Sequence, residues 1–113
     1  MHNEPVVVLV HYRAQPGREE TARREIAALV ALVVEREPDC LGIVILSRPD
    51  DPTQILLQES WTSRAAYLGS HRETPHLVDF IRRAADFLAG PPDISIWDRV
   101  VAVPAESGGA RRA

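Results

Sequence analysis

Hydrophobic periodicity switches repeatedly along this chain, from the twofold alternation of strands to the 3.6-residue spacing of helices and back, and the order of those switches narrows the fold more than any other feature. Val6 to Arg13 is a β-branched run closed by Gln15, Pro16 and Gly17, and reads as a strand. From Arg18 to Arg36 the apolar residues Ala22, Ile26, Leu29, Val30 and Val33 recur at helical spacing, with Glu19, Glu20, Arg23, Arg24 and Glu35 mostly elsewhere. Pro38 stops this helix. Leu41 to Ser47, the turn-forming stretch Arg48 to Pro52, and Thr53 to Trp61 read as strand, loop and strand, paired as a hairpin. Ser63 can cap a short helix through Leu68. Thr74 followed by Pro75 is an N-cap and first-turn signature for a helix that turns Leu77, Phe80, Ile81, Ala84 and Leu88 inward. Gly90, Pro91 and Pro92 end it, and a last strand is expected over Ile94 to Val103.

The order β-α-β-β-α-β predicts an α+β fold, the ferredoxin-like split βαβ, with a four-stranded antiparallel sheet covered by helices on one face. Yet the strands are apolar on both faces: Val6, Val8 and Val10 alternate against Val7 and Leu9, and Ile43 and Ile45 against Val44 and Leu46. One helical layer cannot cover both, so a homodimer through the open sheet face is expected, with the late strand reaching across. Residues 1–103 read as a single domain and 104–113 as a disordered C-terminal tail without core residues.

Composition excludes several function classes. The net charge of -3 and the scattering of the basic residues leave no basic stripe, so no nucleic acid and no membrane surface is expected as a partner. The longest apolar run, ending at Val34, falls far short of the roughly 20 residues of a membrane span, and the chain reads as soluble and cytoplasmic. All 13 basic residues are Arg, which removes lysine Schiff-base chemistry and lysine-held cofactors. Cys40 is the single cysteine, so neither an intrachain disulfide nor a cysteine zinc site can form. No glycine-rich phosphate loop is present.

Chemistry gathers instead in Glu59 to His76, ESWTSRAAYLGSHRETPH. A chain with two Trp, two Tyr and four His has no packing reason to place Trp61, Tyr67, His71 and His76 so close together. His76 falls at the second position of the Thr74-started helix, where the positive helix end keeps the imidazole neutral, as a general base requires; a plain helix-start residue is the alternative. His71 either faces the same cleft or fixes the connecting turn through a backbone carbonyl. Glu59 and Trp61 occupy alternate strand positions and share a face with Leu57 and Ile55, as a pocket floor or as core with a structural carboxylate paired to Arg or backbone. Leu77 and Phe80 supply apolar wall. His11 lies opposite Val10 and Tyr12, towards the cleft or the dimer face. No metal is expected, although Glu59 could complete a ligand set with His71 and His76.

The stretch LLQESWTSRAAYLGSHRETPH resembles the E-x-W followed by H-x-x-T-P-H of the antibiotic biosynthesis monooxygenase (ABM) family. The start VVVLVHYRAQPGREE resembles its first strand and Pro-Gly turn, and EPDC at Glu37 to Cys40 its Glu-Pro-Gly-Cys turn, with Asp39 in place of Gly. The resemblance covers about residues 5 to 103 and implies a dimeric α+β barrel; members include cofactor-independent oxygenases of quinols and polycyclic phenols. Others, similar in the H-x-x-T-P-H segment, isomerise a phosphorylated sugar-like molecule, and a further branch degrades haem. That branch relies on a first-strand Asn and a second Trp in the short helix, whereas here the first strand has no Asn and the helix carries Tyr67 and no Trp. Tyr67 matches the position of a pocket Tyr in the polyketide oxygenases.

Together these readings predict an enzyme, a cofactor-independent monooxygenase acting on a small aromatic substrate, a quinol or polycyclic phenol, with dioxygen as the second partner. His76 or His71 would be the base, Trp61, Leu57, Phe80 and Leu77 the apolar wall, and Tyr67 the group that orients the ring. No flavin, haem or metal cofactor is required. Two alternatives remain open at this level: an isomerase of a carbonyl or phosphorylated metabolite using the same two His, with Arg64, Arg72, Arg82 and Arg83 near enough to hold phosphate, and a non-catalytic ligand-binding dimeric module with a narrow or filled pocket.

Overall fold

The structure, a computed structural model, describes residues 4–105. Its elements are β1 (Val6–Arg13), α1 (Glu19–Arg36), β2 (Cys40–Arg48), β3 (Asp51–Trp61), α2 (Arg64–Leu68), a 3-10 turn (Ser70–Glu73), α3 (Pro75–Arg83), a second 3-10 turn (Ala84–Asp86) and β4 (Asp93–Asp98). The four strands form one antiparallel sheet in the order β2-β3-β1-β4, the ferredoxin-like arrangement. No helix among the described residues is long and apolar enough to cross a membrane.

Strand alternation decides the core. Val6, Val8, Val10 and Tyr12 of β1 stand opposite Trp61, Glu59, Leu57 and Ile55 of β3, and all eight are buried on the helix side. Against them α1 turns Ala22, Ile26, Leu29 and Val33, the stripe expected from its spacing. Gly17, at φ 86, turns β1 into α1 in a backbone region that side chains disfavour. Glu37 is extended, at φ -113 and ψ 100, because the following Pro38 disallows the helical conformation at that position. Its N–H still donates to the Val33 carbonyl at 2.9 Å, so the helix ends in a closed bond while the Glu37 side chain turns into the protein.

Between β3 and α3 the chain makes two tight turns. Ser63 caps α2 as expected, its Oγ accepting from the Ala66 N–H at 3.1 Å. Gly69 closes α2, donating to Ala65 O at 2.8 Å, and a Cβ there would lie 2.8 Å from that same carbonyl, so only glycine lets the chain double back into the turn that carries His71.

Several expectations need correction. The Thr74 hydroxyl does not cap α3; it donates to the His71 carbonyl at 2.9 Å and so ties the two His-bearing segments together. Phe80 and Leu88 are buried as expected and Leu77 and Ala84 half-buried, but Ile81 is 62% exposed. α3 stops at Arg83 and the chain tightens into a 3-10 turn, so one helical stripe does not run from Leu77 to Leu88. The last strand ends at Asp98, opposite Val6, because β1 offers no residue beyond that point to pair with. Val100, Val101 and Val103 therefore lie outside the sheet and exposed, Pro104 and Ala105 have no regular structure, and the rest of the expected tail, 106–113, lies outside the described residues.

The second face of the sheet carries Val7, Leu9, Leu56, Val44, Leu46 and Trp97, with Gln54, Gln58 and Ser60 among them. Val44, Leu46 and Trp97 are 53%, 42% and 56% exposed. His11 belongs to this face, its Nε2 3.1 Å from Gln54 Oε1, and is separated from the helix side by the sheet itself.

Candidate functional site

A cavity of about 830 Å³ opens between the helix side of the sheet and the helices α1 and α3. Most of its wall is apolar: Val10, Ile43 and Leu57 from the sheet, Leu29 and Val33 from α1, Leu77 and Phe80 from α3. The polar groups on its wall are Glu59, Tyr12, Tyr67 and His71, with the exposed Arg72. An apolar chamber with a few directed polar groups is the usual form of a small-molecule site.

Behind His71 lies a buried carboxylate shared by two imidazoles. Glu37, buried at the end of α1, places Oε1 and Oε2 2.9 and 3.0 Å from His71 Nδ1, and Oε2 2.5 Å from His76 Nε2. A carboxylate only accepts, so His71 Nδ1 and His76 Nε2 must carry the hydrogens. His71 is thereby fixed as the tautomer whose Nε2 keeps its lone pair, and this ring borders the cavity. Burial pushes the His71 pKa below its ordinary value of 6.5, outweighing the pull of Glu37 in the other direction. The ring is therefore neutral at neutral pH.

His76 is buried but does not border the cavity, and its Nδ1 has no hydrogen-bond partner among the described residues. The sequence reading placed it beside His71 as a candidate base; the geometry puts it on the far side of Glu37. Glu59, proposed above as a third member with these imidazoles, is not the carboxylate that meets them. Trp61 is also off the cavity wall: it is fully buried, packs its ring 4.7 Å from His71 and 5.5 Å from Tyr67, and donates Nε1–H to Glu59 Oε1 at 2.8 Å. Tyr67 stacks on His71 at 5.1 Å, with 26° between the rings.

Glu59 has neither of the partners expected from sequence, an Arg or a backbone N–H, among the described residues. Burial, opposed by the Trp61 bond and reinforced by the charge of Glu37, raises its pKa from 4.5 to about 7. Burial and then the Glu59 charge raise Tyr67 to about 12, and the same two causes raise Tyr12, so both phenols stay protonated. The Cys40 thiol is buried and pushed up chiefly by burial, which leaves it a poor nucleophile.

Sequence reasoning missed Glu37, which it noted only as part of the turn Glu37 to Cys40. One signal was present: an acidic residue immediately before Pro38, at the end of a helix whose buried stripe passes through Val33.

The sequence profile described as "Antibiotic biosynthesis monooxygenase" matches residues 5–83. An uncharacterized protein of Synechocystis sp. is 30% identical over 98 residues; the match takes in 84% of this chain, which spans 63% of that relative's length. A crystal structure from Pseudomonas aeruginosa, 28% identical, superposes with a TM-score of 0.78 over 89% of this chain and 99% of that one. A Nitrosomonas europaea protein, named only provisionally as an antibiotic biosynthesis monooxygenase, superposes at 0.77 over 88% of this chain and 94% of its own, with 24% identity, a likeness of fold alone.

The shifts at Glu59 and His71 give opposite pH dependences of stability. Glu59, with its folded pKa above 4.5, contributes stability that is complete below that value and lost as pH rises through about 7. His71, with its folded pKa below 6.5, contributes stability present above 6.5 and lost as pH falls through the lower folded value. Glu59→Gln removes only the first. Urea unfolding should find the variant close to the parent at pH 4 and more stable by up to about 3 kcal/mol at pH 8. A stability difference that does not change between these pH values would contradict the burial of an unpaired carboxyl.

Proposed function

The chain belongs to the antibiotic biosynthesis monooxygenase family, and on that premise we propose that it is a cofactor-independent oxygenase of a quinol or polycyclic phenol. The observation that carries this reading is the neutral His71 imidazole, backed by a buried carboxylate, at the wall of a large apolar cavity. His71 Nε2 takes the phenolic proton, Glu37 stabilises the imidazolium that forms, and the resulting phenolate transfers an electron to dioxygen. For a phenol with a para C–H, one oxygen atom enters the ring as the second quinone carbonyl. The other leaves as water with the hydrogens of the O–H and the C–H, so the substrate supplies all the electrons. Tyr67 and Tyr12, both protonated, donate to the ring oxygen, and the apolar wall keeps water from the anion. His76 acts through Glu37 as a positioning residue.

A phosphorylated substrate finds less support. Of the arginines that could gather at the cleft, Arg72 alone borders the cavity. Arg82 is bound to Asp79 at 2.6 Å, and Arg83 to Asp79 at 3.0 Å and Glu25 at 2.9 Å. A binding module with a filled pocket is disfavoured by the open volume. The single buried thiol fits action in a reducing cytoplasm.

Oxygen uptake by the metal-free protein, measured against hydroquinones and anthrone-like phenols, tests the reading. His71→Ala should lose at least about 100-fold of the rate, and Glu37→Gln about 10- to 100-fold. A His71→Ala variant with the parental rate would remove the base from the proposal.

We also infer a homodimer in which two copies pack their open sheet faces together, since Val44 and Leu46 on one edge strand and Trp97 on the other expose large apolar side chains on that face. Light scattering should give twice the 12.5 kDa chain mass, and Leu46→Glu with Val44→Glu should halve it. A parent that runs as a monomer at micromolar concentration would refute the dimer.

A further inference from the structure

We propose that Glu59 is the proton donor of this cavity, a neutral carboxyl that hydrogen-bonds the carbonyl or phenolic oxygen of an uncharged aromatic ligand, so that the site selects neutral oxygen heads over anionic ones. This rests on the cavity described above and deepens the oxygenase reading by naming what binds.

The geometry separates the two oxygens of Glu59. Oε1 accepts from Trp61 Nε1 at 2.8 Å, which anchors the carboxyl on a fully buried indole. Oε2 makes no hydrogen bond among the described residues, and it is not sealed in: the one buried side-chain polar atom left without a partner there is His76 Nδ1. Glu59 lines the cavity, so Oε2 is the group presented to a ligand. An ionised carboxylate at that position would be costly, since no cation among the described residues pairs with it. A protonated one has a donor to offer, and a ligand acceptor satisfies it.

The groups around Glu59 fix the charge a ligand can carry. Tyr12 faces it from β1, Tyr67 from α2, Cys40 from β2, and Glu37 from the end of α1, while His71 and Arg72 border the same cavity from the 3-10 turn. Arg72 is exposed at the rim. A ligand carboxylate or phosphate would meet a carboxyl that can itself ionise, with the Glu37 carboxylate behind His71, and among the described residues the exposed Arg72 is the one cation on the wall to offset them. A flat ketone or phenol instead meets three protonated donors, Glu59, Tyr12 and Tyr67, above an apolar wall. Because both phenols titrate far above neutrality and burial lowers the His71 pKa, Glu59, at about 7, is the group on this wall whose charge changes near neutral pH.

Tryptophan fluorescence can follow binding of 9-fluorenone, an unreactive flat aryl ketone, against fluorene, which has the same rings without the oxygen, and 1-naphthoate as an anion. At pH 6 the ketone should bind about tenfold more tightly than the hydrocarbon, and the naphthoate more weakly than either. By about pH 9 the ketone preference should have collapsed. Glu59→Gln keeps a donor that does not titrate, so it should retain the preference at both pH values; Glu59→Leu should lose it at both. A pH-dependent loss that persists unchanged in Glu59→Gln would overturn the proposal, as would a ketone preference that survives in Glu59→Leu. If the Leu variant does not fold, the Gln variant decides alone. Oxygen uptake plays no part in this readout, so failure of the oxygenase reading leaves a distinct result: pH-gated ketone binding without turnover.

Discussion

One buried carboxylate, Glu37, accepts hydrogen bonds from two imidazoles, and the arrangement of the helical layer depends on it. Its side chain joins the end of α1, the turn Ser70–Glu73 and the first turn of α3, three segments that share no backbone ladder. A buried charge is tolerated only where it is fully bonded, and removing one partner of such a network costs several times more than a surface ion pair is worth. The conformation that makes this possible is local: Pro38 forces Glu37 out of the helical region, so the residue that ends α1 is also the one whose side chain turns inwards. Thr74, bonded to the His71 carbonyl, holds the two histidine-bearing segments in the same relation.

Burial then divides the titratable groups of the cavity into opposite roles. It lowers the pKa of His71 and raises that of Glu59, because in each case the low-polarity surroundings favour the uncharged form. The result is an imidazole ready to accept a proton beside a carboxyl that keeps its own proton up to about pH 7. Trp61 links the two, packing on the imidazole and donating to the carboxyl, although it does not touch the cavity. Neither group needs a lysine, which this chain lacks. Tyr67, stacked on His71 and kept protonated, completes a polar end to an otherwise apolar chamber.

The order of the elements, the buried stripe of α1 and the Ser63 cap were legible in the sequence because they follow from local periodicity and turn chemistry, which act over a few residues. The two faces of β1 were legible for the same reason, and they placed His11 away from Val10 and Tyr12. What could not be read was the pairing of Glu37 with histidines 34 and 39 positions away. The place of Glu37 four residues after Val33 on the buried stripe hints at an inward carboxylate, but nothing in the spacing says which groups it meets. That His76 lies off the cavity wall was unreadable for the same reason: a helix-start position does not say which wall the ring faces. Thr74 was read as a cap because its neighbour is Pro75, yet the nearer His71 carbonyl competed successfully for its hydroxyl.

The central claim is that burial keeps the His71 ring neutral while Glu37 fixes its hydrogen on Nδ1, leaving the Nε2 lone pair at the cavity. Nitrogen-15 NMR of the labelled imidazoles at pH 7 addresses it directly, because protonated and lone-pair nitrogens resonate far apart and the two tautomers give distinct patterns. The account predicts a His71 spectrum with Nδ1 protonated and Nε2 bare, lost in Glu37→Gln. A His71 ring that is protonated on Nε2, or on both nitrogens, at that pH would contradict it.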